Sequence, residues 1–185
     1  ILLTLTMIVS LFTIIPFEVS AVEGQTVSYR ARYWDSRKIR DVINSQDNVK
    51  PLSSCVDNTS LSGWYYTDKN FEVNSRVKVA DSAFIILMKG KTVTFKKGIR
   101  VADGKELNIY PDAKSDNGKL IANADGYDAA IGSNDEDDGD EDKAGTVNIY
   151  GGTIEATGGT DGAGIGGGNE AKGGTVNIYG GTVTA

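Results

Sequence analysis

Histidine is missing altogether from the 185 residues, which excludes catalysis by an imidazole base. Cysteine is nearly missing. The single Cys55 cannot make the even, larger set on which a disulfide scaffold depends, and no partner residues near it support a zinc or thiol-nucleophile role. It reads as a half-buried thiol in a polar loop. Positive charge is scarce in the second half: residues 101–185 carry 5 Lys/Arg against 16 Asp/Glu, while residues 1–100 carry 14 against 9. The halves are therefore −11 and +5, which sum to the −6 of the whole chain. A nucleic-acid backbone needs clustered Lys and Arg, so nucleic acid is not an expected partner. Beyond residue 21, no stretch carries apolar residues at three-and-four spacing for the length of a helix.

Hydrophobic residues at 39% and charged ones at 24% are ordinary for one folded domain of this length. Glycine is not ordinary. Of 23 Gly, 19 lie after position 100, so the second half is built on turns.

Residues 1–17 hold no charge and are dense in apolar side chains up to Pro16. Val19-Ser20-Ala21 then offers the small residues of a cleavage site, so residues 1–21 are expected to be a signal peptide and the protein to be secreted or displayed on the cell surface. The run is shorter than the roughly 20 apolar residues a spanning helix needs, so no membrane span is expected in the mature form. The chain opens on Ile1 without a basic n-region, and further residues upstream are expected.

The decisive feature is a repeat. Lys143-Ala-Gly-Thr-Val-Asn-Ile-Tyr-Gly-Gly-Thr-Ile-Glu-Ala156 matches Lys172-Gly-Gly-Thr-Val-Asn-Ile-Tyr-Gly-Gly-Thr-Val-Thr-Ala185. An older copy is visible where Leu107-Asn-Ile-Tyr110 aligns with Val147-Asn-Ile-Tyr150, and Ala129-Ala-Ile-Gly132 aligns with Ala163-Gly-Ile-Gly166. Apolar residues in each copy alternate, as in short strands. Three such strands recur per repeat, at Ile99, Ile131 and Ile165, then Leu107, Val147 and Val176, then Leu120, Ile154 and Val183. A three-residue strand cannot bury its apolar side alone, but stacked coils pair every strand with the next and close continuous columns of Ile, Val and Leu. The expected fold is all-β: a right-handed parallel β-solenoid over residues 71–185, truncated at its C-terminus, with residues 22–70 as a β-rich leading segment that caps the first coil.

The segments Gly63-Trp-Tyr-Tyr66, Phe84-Ile-Ile-Leu-Met-Lys-Gly-Lys-Thr-Val-Thr-Phe95, Gly98-Ile-Arg-Val-Ala-Asp-Gly-Lys-Glu-Leu-Asn-Ile-Tyr110 and the Gly-Gly-Thr-Val-Asn-Ile-Tyr-Gly-Gly-Thr-Val-Thr-Ala repeat carry a resemblance. Over about residues 26–185 the chain resembles large secreted repeat-containing surface proteins of anaerobic gut bacteria, of the kind described as carbohydrate-binding. The resemblance implies a stalk or adhesin module and no catalytic residue.

If Val147 and Ile149 face inward, alternation sends Asn148 and Tyr150 outward. The outward ladder is then Asn108, Asn148, Asn177 beside Tyr110, Tyr150, Tyr179. Flat aromatic faces with amides alongside suit a polysaccharide or host glycan, while stacking of like residues on one another explains the same repetition structurally. The insert Asn134–Asp142 holds seven carboxylates, and Asp135, Asp137, Asp138, Asp140 and Asp142 could take Ca²⁺. Its spacing lacks the closing Glu of the EF-hand loop, which favours a solvated acidic insert and no obligatory cofactor. Gly162-Ala-Gly-Ile-Gly-Gly167 fits the dinucleotide fingerprint in letters, but a strand and not a helix follows it. Two function classes remain open: a non-enzymatic stalk or adhesin, and a polysaccharide lyase or glycoside hydrolase on a β-helix scaffold. Near-unchanged repetition of the outward residues favours the first.

Overall fold

The computed structural model describes residues 25–35, 38–54, 59–135 and 143–185. Strand is the only extended regular structure among the described residues, and turns and loops make up most of the rest. A hairpin comes first, β1 (Gln25–Asp35) and β2 (Lys38–Pro51), followed by a single 3₁₀ turn at Leu52–Ser54. Twelve further strands follow β3 (Ser60–Tyr66): β4 (Phe71–Val73), β5 (Val77–Leu87), β6 (Thr92–Phe95), β7 (Ile99–Arg100), β8 (Glu106–Pro111), β9 (Lys119–Asn123), β10 (Ile131–Gly132), β11 (Thr146–Ile149), β12 (Thr153–Thr157), β13 (Ile165–Gly166), β14 (Thr175–Ile178) and β15 (Thr182–Thr184). Among the described residues no helix is long and apolar enough to cross a membrane.

Every strand pairing outside the β1–β2 hairpin is parallel. One sheet runs β2, β3, β5, then branches into the rows β7-β10-β13 and β8-β11-β14; the other runs β4, β6, β9, β12, β15. Parallel neighbours that are close in sequence need a connection around the outside, and here each strand meets its counterpart in the next repeat. The expected columns appear in register. Ile131 pairs with Ile99 and Ile165, Val147 with Leu107 and Val176, and Ile154 with Leu120 and Val183. Leu107, Ile109, Leu120, Ile131, Ile149 and Ile154 are fully buried between the sheets. Burial of such a side chain contributes about 1.5–3 kcal/mol, so a slip by one residue, which would exchange Val147 for Asn148, is strongly disfavoured.

Glycine is required where repeats meet most closely. Gly132 has φ 150°, and a Cβ there would collide with the Gly166 carbonyl. The turn before β10 is held by backbone bonds from Ala130 to Ala163 and from Ile131 to Gly164. Gly162–Gly167 lies in the matching turn and enters β13, so the fingerprint letters serve a corner.

The leading segment differs from the expected cap. β3 joins the parallel stack directly, with Trp64 paired to Phe84 and Tyr66 to Ile86, so pairing begins upstream of residue 71. Only Lys50 and Pro51 of β2 add to that edge. At Asn48 the backbone takes a positive φ of 57°, tolerated by Asn better than by most residues, and the rest of the hairpin turns away from the edge to lie across the outer face of the sheet. Tyr29 bridges to Asp112, and the Arg32 guanidinium lies over Gly180 in the last coil. From Val27 to Arg32 a strand rises roughly 16 Å, close to the roughly 14 Å of three coil spacings. β1 therefore runs along the stacking axis.

Candidate functional site

The outer face of the sheet carries two adjacent columns. One reads Trp64, Phe84, Asn108, Asn148, Asn177, and the other Tyr66, Ile86, Tyr110, with Tyr150 and Tyr179 completing it just past the ends of β11 and β14. All six residues expected to form a ladder are brought together. Tyr110 stacks on Tyr150 at 4.4 Å and 6°, and Tyr150 on Tyr179 at 4.8 Å and 8°. Asn148 Nδ2 donates to Asn108 Oδ1 at 3.0 Å and to Glu106 Oε1 at 2.6 Å, while Asn177 Nδ2 donates to Asn148 Oδ1 at 2.8 Å.

The expectation that this ladder faces solvent is corrected at its centre. Asn108 and Asn148 are 3% and 6% exposed, and Tyr110 is 8% exposed. The cause is β1. Val27, Val49, Ile86 and Tyr110 form a second buried cluster, with Tyr29, Ala31, Trp64, Tyr66, Phe84, Met88 and Tyr150 packed around it. Tyr29 lies 4.7 Å from Tyr110 and 4.9 Å from Trp64, and Trp64 stacks on Phe84 at 4.4 Å. Arg30 pairs with Asp116 at 2.5 Å, and Arg32 makes two bonds to Asp41 across the hairpin. Asn177, Tyr150 and Tyr179 are half-buried.

Electrostatics record the same cover. Burial raises the Tyr110 hydroxyl well above the ordinary tyrosine range, helped by its neighbour Tyr150. Burial likewise raises Tyr29 and Tyr150. Asp41 is lowered, chiefly by the Arg32 hydrogen bond. At Asp68 burial pushes upward, but bonds from the Ser53 hydroxyl and N–H outweigh it and the carboxyl is lowered. A general acid would need a carboxyl held protonated near neutrality, and these two are held ionised.

Asp137, Asp138, Asp140 and Asp142 lie outside the described residues. Asp135 accepts from Asn169 Nδ2 at 3.3 Å, and its N–H donates to Asp128 Oδ1 at 2.9 Å. The same corner holds Arg76, whose guanidinium binds Asn134 Oδ1 at 2.9 Å and the Ser133 carbonyl at 3.1 Å, and pairs with Asp128 at 3.5 Å. A guanidinium and an amide donor answer these oxygens in the described part of the corner. Among the described residues no cluster of three or more potential ligands exists.

Trp64 and Phe84 are the residues that sequence reasoning left out of the ladder. Aligning Gly63-Trp64-Tyr65-Tyr66 with Ala83-Phe84-Ile85-Ile86 would have placed both at the head of the Asn column.

With strands repeating in parallel register, the match to a known family falls where the repeat is clearest. Residues 147–169 and 176–185 match a beta helix repeat. No curated protein and no solved structure matches the chain. The beta helix repeat is a scaffold on which both enzymes and non-enzymes are built, so function must be argued from the faces.

Proposed function

We propose that this chain is a non-enzymatic surface module, a right-handed parallel β-solenoid that acts as a stalk or spacer outside the cell. The observation that carries this reading is the use made of the repeated residues. Asn148 spends its amide on Asn108, Glu106 and Asn177, and Tyr110 is enclosed between Tyr29 and Tyr150. Residues repeated to receive a polymer would stay open along the row, whereas here the centre of the row is closed by the chain's own hairpin. Right-handed winding is the rule for a strand, crossover and parallel strand. Export is supported by the apolar run and small-residue site before residue 22.

The half-buried Tyr150 and Tyr179 support a narrower adhesin reading, in which a glycan reaches only the last coils. Incubation with pectin, alginate, xylan and mucin tests the whole proposal. A spacer releases no reducing ends or unsaturated uronates and retains none of these polymers. Turnover would establish the lyase or hydrolase reading instead. Retention abolished by Tyr179→Ala, with an unchanged melt, would establish the adhesin reading.

A further inference from the structure

Tyr150 and Tyr179 stand one repeat apart and face each other ring to ring. Their centroids are 4.8 Å apart and their planes differ by 8°. Parallel register sets this up, since Ile149 pairs with Ile178 and the N–H of Tyr179 donates to the Ile149 carbonyl at 2.8 Å. A separation equal to the strand spacing is what translation of one residue onto its counterpart produces. The carbon beside each phenol oxygen therefore has its counterpart on the facing ring as a neighbour. We propose that this pair is a modification site, at which a diffusible one-electron oxidant joins the two rings as dityrosine and locks neighbouring repeats together. This goes beyond the spacer reading, which stands whether or not the rings couple.

The electron count closes with the oxidant as the acceptor. Each phenol gives up one electron and its hydroxyl proton; two equivalents of the oxidant are each reduced by one electron, and the protons pass to water. The two phenoxyl radicals pair their odd electrons in a carbon–carbon bond between the positions ortho to the oxygens. Each bonded carbon then passes its hydrogen, as a proton, to its own ring's oxygen, which restores both aromatic rings. The product has lost two hydrogen atoms.

Burial selects this pair within the aromatic column. Tyr110 stacks on Tyr150 more closely, at 4.4 Å, but it is 8% exposed and has Tyr29 on its other flank. An aryl–aryl bond lies in the plane of each ring, so coupling requires the rings to leave the parallel stack. In a close-packed interior an enclosed ring has no room to do so. Tyr150 and Tyr179 are both half-buried, within reach of a small oxidant. Exposure alone would direct the chemistry elsewhere, to Tyr127 at 48% exposed.

The full chain, kept dilute, is illuminated with tris(bipyridyl)ruthenium(II) and persulfate and digested with trypsin. Cleavage after Lys105, Lys114, Lys119, Lys143 and Lys172 leaves Tyr110, Tyr127, Tyr150 and Tyr179 in the separate peptides 106–114, 120–143, 144–172 and 173–185. The expected main product is 144–172 joined to 173–185, with dityrosine fluorescence and two hydrogen atoms lost. In a mixture of nitrogen-labelled and unlabelled chains, both halves of each joined peptide should carry the same label. Tyr179→Phe should abolish the product while its own melt matches the parent's. The joined chain should melt several degrees higher, because the link constrains the unfolded state. The proposal is overturned if this product is absent or carries mixed labels, if it forms as well in guanidinium, if peptide 106–114 or 120–143 supplies the main joint, or if joining leaves the melt unchanged.

Discussion

The Tyr29 ring lies 4.7 Å from that of Tyr110, tilted by 58°, and this contact ties the N-terminal hairpin to the middle of the repeat stack. Tyr110 has Tyr150 stacked on its other flank at 4.4 Å. One aromatic residue therefore serves both the repeat-to-repeat contact and the attachment of the hairpin.

Removing the first ring should loosen the hairpin without dissolving the stack. In a Trp34→Phe background, which leaves Trp64 as the only tryptophan, Tyr29→Ala should red-shift its emission and speed amide exchange in β1 and β2. A ring of this kind contributes about 2 kcal/mol. Protection in β8 and β11 should hold, and loss of protection there would show that the hairpin is integral to the coils.

The amide ladder is open to a direct test. Asn148 gives two bonds through Nδ2 and receives one through Oδ1. Asn148→Ala leaves the buried Asn108 Oδ1 without its donor, at an expected loss of about 1–3 kcal/mol. The check is chemical denaturation, and a change below about 0.5 kcal/mol would remove the ladder from the stabilising set.

Gly132→Ala should be among the worst substitutions in the repeat. It combines φ 150° with a collision against the Gly166 carbonyl, and backbone strain alone costs about 1–3 kcal/mol. Gly173→Ala is the control, since a Cβ there meets nothing within 4 Å. Paired thermal melts should separate the two clearly.

Alkali should weaken the fold through the tyrosines. Their folded pKa values are raised by burial at Tyr29, Tyr110 and Tyr150, so the unfolded chain releases these protons first, near pH 10. The contribution is complete below that pH and declines above it as the unfolded state ionises. Tyrosinate absorbance should lag behind that of the unfolded chain, with denaturant stability falling over the same interval. Coincident titration curves would contradict the burial of Tyr110.

Acid acts on the hairpin with the opposite sign. Asp41 is held below its ordinary range, first by the Arg32 hydrogen bond, so its contribution is present above about pH 4 and is lost as pH falls through the lowered folded value. Trp64 emission in the Trp34→Phe background should report loosening on acidification. Asp41→Asn should remove most of that dependence, and a variant with the parent's acid profile would assign the effect elsewhere.

Register was legible in the sequence because the repeat is nearly literal. Val147-Asn-Ile against Val176-Asn-Ile leaves only one alignment, and alternation with period two fixes which side chains enter the core. The same letters led to Ile131 over Ile165 and Ile154 over Val183, which the pairing reproduces. The hairpin was legible only as strand. Thr26 to Tyr33 alternates as a strand does, but nothing in that alternation says which surface it meets. Its partner is Tyr110, far along the chain, and its course depends on the turn at Asn48 and on ion pairs such as Arg30 with Asp116.

The sequence alone thus determined that the repeated strands pair in parallel register, because burial of short apolar strands allows one periodic answer. Only the tertiary structure decided that the Asn and Tyr columns are largely enclosed. Exposure belongs to what packs against a face, and that depends on long-range contacts that local periodicity does not encode.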